Sequence, residues 1–466
     1  MGSKSYDFDA LRKSLSSEAL VVTPDSEGYE DSLKRWSESN VKRALAVIQP
    51  TTTEDVSTAI KFCTSNKLPF VAVCGGHSTS GSNATDDGVC IDLGKKMKGV
   101  SVDPATKTIT AQGGAFWKDV DVAAAAHGLA TVGGTVNHTG IGGLTLGGGY
   151  GWLSGRYGMT VDNLLSATCV LASGEIVKCS ESSEPDLFWA LRGAGQSFGI
   201  VTEFVYKAYD QKNKVFAGIA IFTPDKLAQI TEFSNKLIAS GNTDVAMNWG
   251  FTAPPPANQP AVLAGIYYND GDEAVAREYY KELLDLGPVM DTLTMMPYEL
   301  LNGVLAAAAG YDGRKLFGGS NFTAPLDPAF TQAVFDKFTQ TIMSEKDAGG
   351  SAVLFECIPN SKIRSVPRDA TAFANRGDYY TFGLIWKWFD PALDTKFRQH
   401  NRELAEFVRN EGGTKKAGDV GNYSNYIGPE EKTESVFGVN SARLRTLKAK
   451  YDPDNWFNKF HRLLPN

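Results

Sequence analysis

The run Leu144-Thr-Leu-Gly-Gly-Gly-Tyr-Gly-Trp-Leu153 places four glycines in ten residues and lies inside a larger cluster. Twelve of the chain's 47 glycines fall between Gly128 and Gly158, too local for a linker and too dense for ordinary turns. Glycine lets a backbone approach an anion and aim its N–H groups at it, because no Cβ intervenes and positive φ is open. Two more stretches share this texture, Gly75-Gly-His77-Ser-Thr-Ser-Gly81 and Gly193-Ala-Gly-Gln-Ser-Phe-Gly199. With 140–151 they make three candidate anion-cradling loops, which suits a diphosphate better than a single phosphate. Taken alone, each loop reads equally well as a tight turn between short strands. None matches GxxxxGK[ST], and none has the strand, GxGxxG and helix context of a Rossmann site.

Outward from the cluster, short elements alternate. Thr51-Thr-Thr-Glu54 has capping-box spacing, and Val56, Ala59, Ile60 and Cys63 follow on one helical face. Residues 70–73, 89–93 and 100–111 read as strands, 116–127 as a helix ended by Gly128, and 166–177 as two strands about Ser173-Gly174. Residues 185–191 read as a short helix, and 200–206 as a strand. This mixture is an α+β pattern. From about Tyr209 the texture changes: Pro254-Pro-Pro256 appears, 272–286 and 327–345 read as helices, and 352–358 and 379–388 as strands of a second sheet. The last fifty residues return to the dense style, with Gly421-Asn-Tyr-Ser-Asn-Tyr426 and a helix from about Ser441.

The whole composition agrees. A chain of 466 residues has room for two or three domains, and 42% hydrophobic with 21% charged residues excludes a disordered or membrane-embedded protein. The net charge of −7, without a basic run, excludes nucleic acid as a partner. No 18-residue apolar stretch or export signal is seen, so no membrane association and a cytoplasmic location are expected. Cys63, Cys74, Cys90, Cys169, Cys179 and Cys357 lack CxxC spacing and read as buried thiols, and the histidines lack ligand spacing, so no metal is expected.

Five motifs occur in a fixed order: Cys74-Gly-Gly-His77-Ser, the 144–153 run, Arg156-Tyr-Gly-Met-Thr-Val-Asp-Asn163, Gly195-Gln-Ser-Phe-Gly-Ile-Val201 and Tyr451-Asp-Pro-Asp-Asn455. In this order they resemble FAD-linked oxidases of the vanillyl-alcohol oxidase superfamily, and more narrowly the berberine-bridge-enzyme-like group. The match covers about 35–206 and 418–460, with Thr371-Ala-Phe-Ala-Asn-Arg376 between. It implies a split PCMH-type FAD-binding domain of two α/β subdomains, formed by 1–208 and 418–466. Between them it implies a substrate domain, 209–417, with an antiparallel sheet covered by helices. It implies flavin contacts from Cys74, Gly75, Gly76, His77, Ser78, Thr79, Ser80 and Gly81; from Val136, Thr139, Gly140, Gly142, Gly143, Gly148, Gly149, Tyr150 and Gly151; from Gly199, Ile200 and Val201; and from Tyr423 and Asn425. His77 stands where the family carries a covalent bond to the flavin 8α-methyl. Val136 stands where many relatives have the cysteine of a second, 6-S-cysteinyl link, so a single attachment is expected. Val73 replaces an arginine common in relatives, which puts one pyrophosphate contact in doubt.

Oxidation of an alcohol or amine by flavin needs a base for the O–H or N–H proton. Tyr423-Ser-Asn-Tyr426 resembles the family segment whose last tyrosine fills that role; read as a strand, it puts Tyr426 and Ser424 on one face and Tyr423 and Asn425 on the other. An ordinary tyrosine titrates near 10, so Tyr426 would need a phenolate-stabilising neighbour. His138, in the loop expected beside the flavin, competes for the same role and titrates closer to neutrality. Packing between domains is the alternative for the tyrosines, and a satisfied loop histidine for His138. Thr381, Gly383, Ile385 and Lys387 share one strand face, opposite Phe382, Leu384, Trp386 and Trp388. Lys387 and Glu356 read as charges on a solvated strand face. The expected activity is oxidation of a small organic alcohol, amine or specialised metabolite with O2 as second substrate, by a monomer or homodimer. Saccharide oxidation, or flavin binding without turnover, are the alternatives.

Overall fold

Thr52 opens the first long helix as its spacing predicts. Its hydroxyl accepts from the Asp55 amide at 3.1 Å, and the Asp55 carboxylate accepts back from the Thr52 N–H, also at 3.1 Å. The computed structural model describes residues 6–464 apart from 270, 307, 346–347, 415–420 and 429–430, so the expected boundary at 417 lies outside the described residues. Helix Thr53–Ser65 buries Val56, Ala59, Ile60 and Cys63 on a four-stranded sheet. The strand order of that sheet is Leu20–Val22, Ala46–Gln49, Val89–Asp92 and Phe70–Val73, the last three parallel.

A second, antiparallel sheet runs Val100–Asp103, Thr108–Gln112, Ile200–Lys207, Leu164–Val170 and Ile176–Ser180. The third sheet is antiparallel and has eight strands. Its inner strands are Val215–Phe222, Ala261–Tyr268, Val245–Thr252, Ala352–Cys357 and Tyr380–Trp388, with Arg314–Phe322 at one edge. Helices Leu227–Ala239, Pro328–Ser344 and Asp394–Glu411 cover one face. Alternation sends Phe382, Leu384, Trp386 and Trp388 into that core, each contributing roughly 1.5–3 kcal/mol by burial. The opposite face, with Glu356 and Thr381 paired across strands, turns toward the glycine loops.

The C-terminal segment packs back onto the first part of the chain. Leu444 and Leu447 of helix Ser441–Tyr451 join the cluster of Phe188, Leu191 and Phe204, and Phe457 meets Phe70 edge-on at 5.3 Å. Lys448, fully buried, donates to Asp452 at 2.6 Å, to the Ser197 carbonyl at 2.7 Å and to the Phe457 carbonyl at 2.8 Å. One ammonium thus ties the tail to the third glycine loop.

Three expectations change. The 272–286 helix breaks into Glu273–Tyr279 and Lys281–Leu284. The second glycine loop holds a short helix, Ile141–Leu146, because Ile141 and Leu146 bury themselves in the sheet cluster. Ser424–Tyr426 is a 3₁₀ turn rather than a strand. The three-residue period of that turn brings Tyr423 and Tyr426 together, with ring centroids 4.8 Å apart, instead of sending them to opposite faces.

Candidate active site

Strand Phe70–Val73 ends in the loop carrying Cys74 to Gly81, and this loop meets the turn 136–140. The two backbones touch where a Cβ on Gly75 would collide with the Gly140 amide, and one on Gly140 with the Cys74 thiol. That approach sets His77 beside His138, and their ring nitrogens share a hydrogen bond of 2.8 Å. Trp36 stacks on His77 at 5.1 Å with 7° between planes, and Tyr311 meets it edge-on while donating to the Gly75 carbonyl at 3.0 Å. Burial, followed by the neighbouring His138 and Lys315, holds His77 well below the usual histidine range, so it is neutral near pH 7. Lys315 is itself buried, donating to the carbonyls of Trp36 and Asp312, and burial brings it down to about 8.

Around the loop, Ser78 shares hydrogen bonds with Ser80 and Ser82, and Thr79 accepts from the Phe317 amide at 2.9 Å, linking the loop to the third sheet. Val73 is buried in its strand. The nearest buried guanidinium, Arg35, lies behind Gly76 and donates to the carbonyls of Asn83, Ser32 and Lys34. Arg35 thus braces the loop from the protein side.

Phe317 connects this cluster to a second one. Its ring is 6.4 Å from Trp36 and 4.1 Å from Tyr426. Tyr426 donates to Glu356 Oε1 at 3.0 Å, and Tyr150 donates to Glu356 Oε2. Tyr423 packs on Tyr150 at 4.9 Å, and Asn425 donates to the Tyr423 hydroxyl at 2.9 Å and to the Leu144 carbonyl at 3.0 Å. Gly147 makes this docking possible, since a Cβ there would strike the Asn425 side chain. Gly148, Gly149 and Gly151 continue the chain beneath Tyr150, while Gly142 and Gly143 lie on the short helix. Val136 and Thr139 close the turn before it through a 3.2 Å backbone bond. The Ile200 and Val201 side chains sit in the sheet core, and Gly199 abuts Cys169.

Glu356 corrects the solvated-face reading. It is only 6% exposed, and burial pushes its carboxyl up to about 7 against the pull of its two tyrosine donors. Tyr426 moves the other way from a base: burial and the adjacent Glu356 raise it well above 10. Lys387 points elsewhere and pairs with Asp312 at 2.6 Å. Beside Glu356 opens a cleft walled by Tyr150, Phe373, Tyr379, Tyr380 and Tyr423. Trp36, Tyr311 and Phe317 escaped the sequence reading because no periodicity or motif marks them. Glu356 did carry a signal, as a lone carboxylate in the apolar strand Ala352–Cys357. No group of metal ligands occurs among the described residues.

Residues 44–180 match the FAD binding domain family, and 422–461 the family described as berberine and berberine like. The FAD-linked oxidoreductase pgmH of Aspergillus terreus is 36% identical over 487 aligned residues, covering 98% of this chain and 96% of its own. Among solved structures, 6-hydroxy-D-nicotine oxidase from Arthrobacter nicotinovorans has a TM-score of 0.82 at 24% identity, over 97% of this chain and 99% of that one. A chitooligosaccharide oxidase has a TM-score of 0.80 at 24% identity, over 98% and 99%. At these identities the solved structures establish the fold.

Proposed function

The chain belongs to the FAD-linked oxidoreductases with a berberine-like C-terminal segment, and from that premise we propose that it oxidises a small organic alcohol or amine at a C–H bond, with Glu356 as proton acceptor. The observation that carries this reading is the Tyr150, Glu356 and Tyr426 group: one buried carboxyl, brought near neutrality, fixed by two phenol donors. A base with a pKa near the working pH combines the right protonation state with useful driving force. Tyr426 and Tyr150 orient the carboxylate. His138 is engaged with His77 and attends the other end of the site.

The residues fit a flavin dinucleotide on two counts. The buried acceptor Asn83 Oδ1, at the foot of the His77 loop, has no partner among the described residues, and the same loop presents three serine hydroxyls. We assign the loop 74–81, the turn 136–151 and Tyr423 with Asn425 to holding it, within a flavin domain of 1–208 and 418–466 and a substrate domain of 209–417. A flavin held there would supply the two-electron acceptor for oxidation of the substrate C–H bond, with O2 as the terminal acceptor and H2O2 as its product. His77, held neutral by burial and positioned by Trp36 and His138, would be the nucleophile for a single covalent attachment. The Cys74 thiol is pushed up to about 12 by burial and is directed at the Ala115 carbonyl, and Val136 has no nucleophile, which supports the absence of a cysteinyl link. No helix among the described residues is long and apolar enough to cross a membrane.

Anaerobic mixing of flavin-loaded protein with a panel of aromatic alcohols and amines tests the proposal. At least one member bleaches the flavin, and readmitted air restores the colour with one H2O2 per flavin. A flavin that no member bleaches overturns it.

A further inference from the structure

The polar atoms around the cleft are unevenly spent. Asn321 donates its amide to the Gly421 carbonyl at 2.9 Å, Asn360 to the Tyr379 carbonyl at 3.2 Å and Asn375 to the Asn422 carbonyl at 2.6 Å. Tyr150 and Tyr426 both donate into Glu356. The acceptors left to meet a ligand are the Glu356 carboxylate and the amide oxygens of Asn321 and Asn360, and the donors that remain on the wall, such as the Thr381 hydroxyl, are neutral.

The charge is one-sided too. Among the described lining residues Glu356 is the single charged side chain, and none is Lys, Arg or His. Arg376, adjacent in sequence to the lining residues Asn375 and Gly377, is fully buried and spent on Asp162, at 2.6 and 3.0 Å to the two oxygens. Apolar Met159, Ile358 and Ile363 complete the aromatic walls.

We propose that this cleft selects planar aromatic ligands that bring their own hydrogen-bond donors, phenols, benzylic alcohols or ammonium groups, and rejects aromatic carboxylates. A phenol or alcohol donates to the waiting acceptors. An ammonium pairs with Glu356 against aromatic faces that favour a cation. Among the described lining residues a carboxylate finds no cation, only neutral donors, and a like charge at close range, so its desolvation is not repaid. The inference deepens the proposed oxidation and rests on the same site.

Binding separates it from that chemistry. Isothermal titration of the flavin-loaded protein at pH 8 is run with 2-naphthol, 2-naphthylmethylamine, 2-naphthoate and cellobiose. The naphthol and the amine bind at least tenfold more tightly than the naphthoate, and cellobiose binds more weakly than either. In Glu356→Gln the naphthol-to-naphthoate ratio falls to within threefold, since shape is kept and charge removed. The wild-type ranking stands alone if that variant does not fold. Naphthoate binding as tightly as naphthol, cellobiose binding most tightly, or no aromatic binding at all overturns the inference. Flavin reduction is scored separately. A correct ranking without reduction refutes the proposed oxidation and leaves the selectivity; equally fast reduction by aryl alcohols with and without a ring carboxylate refutes the selectivity and leaves the oxidation.

Discussion

Replacing Glu356 by Gln separates catalysis from stability in opposite directions. The side chain keeps its size and can still hydrogen-bond Tyr150 and Tyr426, but it cannot take a proton. Loss of a general base costs about 10²- to 10⁴-fold, so substrate-driven flavin reduction in stopped flow falls by at least about a hundredfold. In the wild type that rate rises with pH through about 7, where Glu356 ionises, and in Glu356→Gln this limb is gone. Stability moves the other way. The folded carboxyl titrates near 7 against an ordinary 4.5, so folded Glu356 still holds a proton that the unfolded chain has released between those values. Stability from this group is therefore complete below 4.5 and lost as pH rises through about 7, by about 3 kcal/mol in all. With an unfolding entropy of about 2.1 cal/mol/K per residue, a chain of this length loses about 3 °C of Tm for that amount. The variant escapes the loss. Between pH 4.5 and pH 8, its Tm gains about 3 °C on the wild type, other titrations cancelling in the comparison. Unchanged reduction rates, a persisting pH limb, or a Tm difference that does not vary with pH each refute the assignment.

Further consequences are open to simple measurement. Denatured and washed wild-type protein keeps its yellow colour, whereas His77→Ala releases all flavin; free FAD from the wild type would end the single-attachment reading. Tyr426→Phe removes one of the two donors that orient Glu356, so flavin reduction slows about tenfold while the pH limb persists, a smaller loss than removing the acceptor itself. His138→Ala, at the other end of the site, leaves that limb in place, and its disappearance would make His138 the base. Lys448→Met strands the fully buried Asp452 carboxylate and costs about 3–5 kcal/mol, read as a lowered Tm with the flavin spectrum of the remaining folded protein unchanged.

What the sequence carried and what it withheld follow from the range of the interactions involved. Local signals were legible: the Thr52 cap, the Ser173-Gly174 turn, and the alternation that sends Trp386 and Trp388 into one core are each decided within a few residues. The active group was not, because Glu356 and Tyr426 meet across seventy residues of chain, and the burial that raises the carboxyl exists only once the third sheet closes over the glycine loops. A charge in a strand reads as solvated unless the partner face is known. The glycine cluster reads as backbone bared for a diphosphate, and the structure adds a second use that the composition does not show: Gly75 against Gly140, Gly147 against Asn425 and Gly199 against Cys169 are places where protein presses on protein. Each of these contacts fixes one functional side chain or strand: the first pairs His77 with His138, the second docks the Tyr423–Tyr426 turn beneath Glu356, and the third starts the central strand Ile200–Lys207. Small residues there serve to bring distant parts of the chain within hydrogen-bond range. A Gly147→Ala change is therefore expected to slow substrate-driven flavin reduction in stopped flow by displacing Asn425 and Tyr426, although Gly147 is neither the proposed base nor the proposed attachment residue.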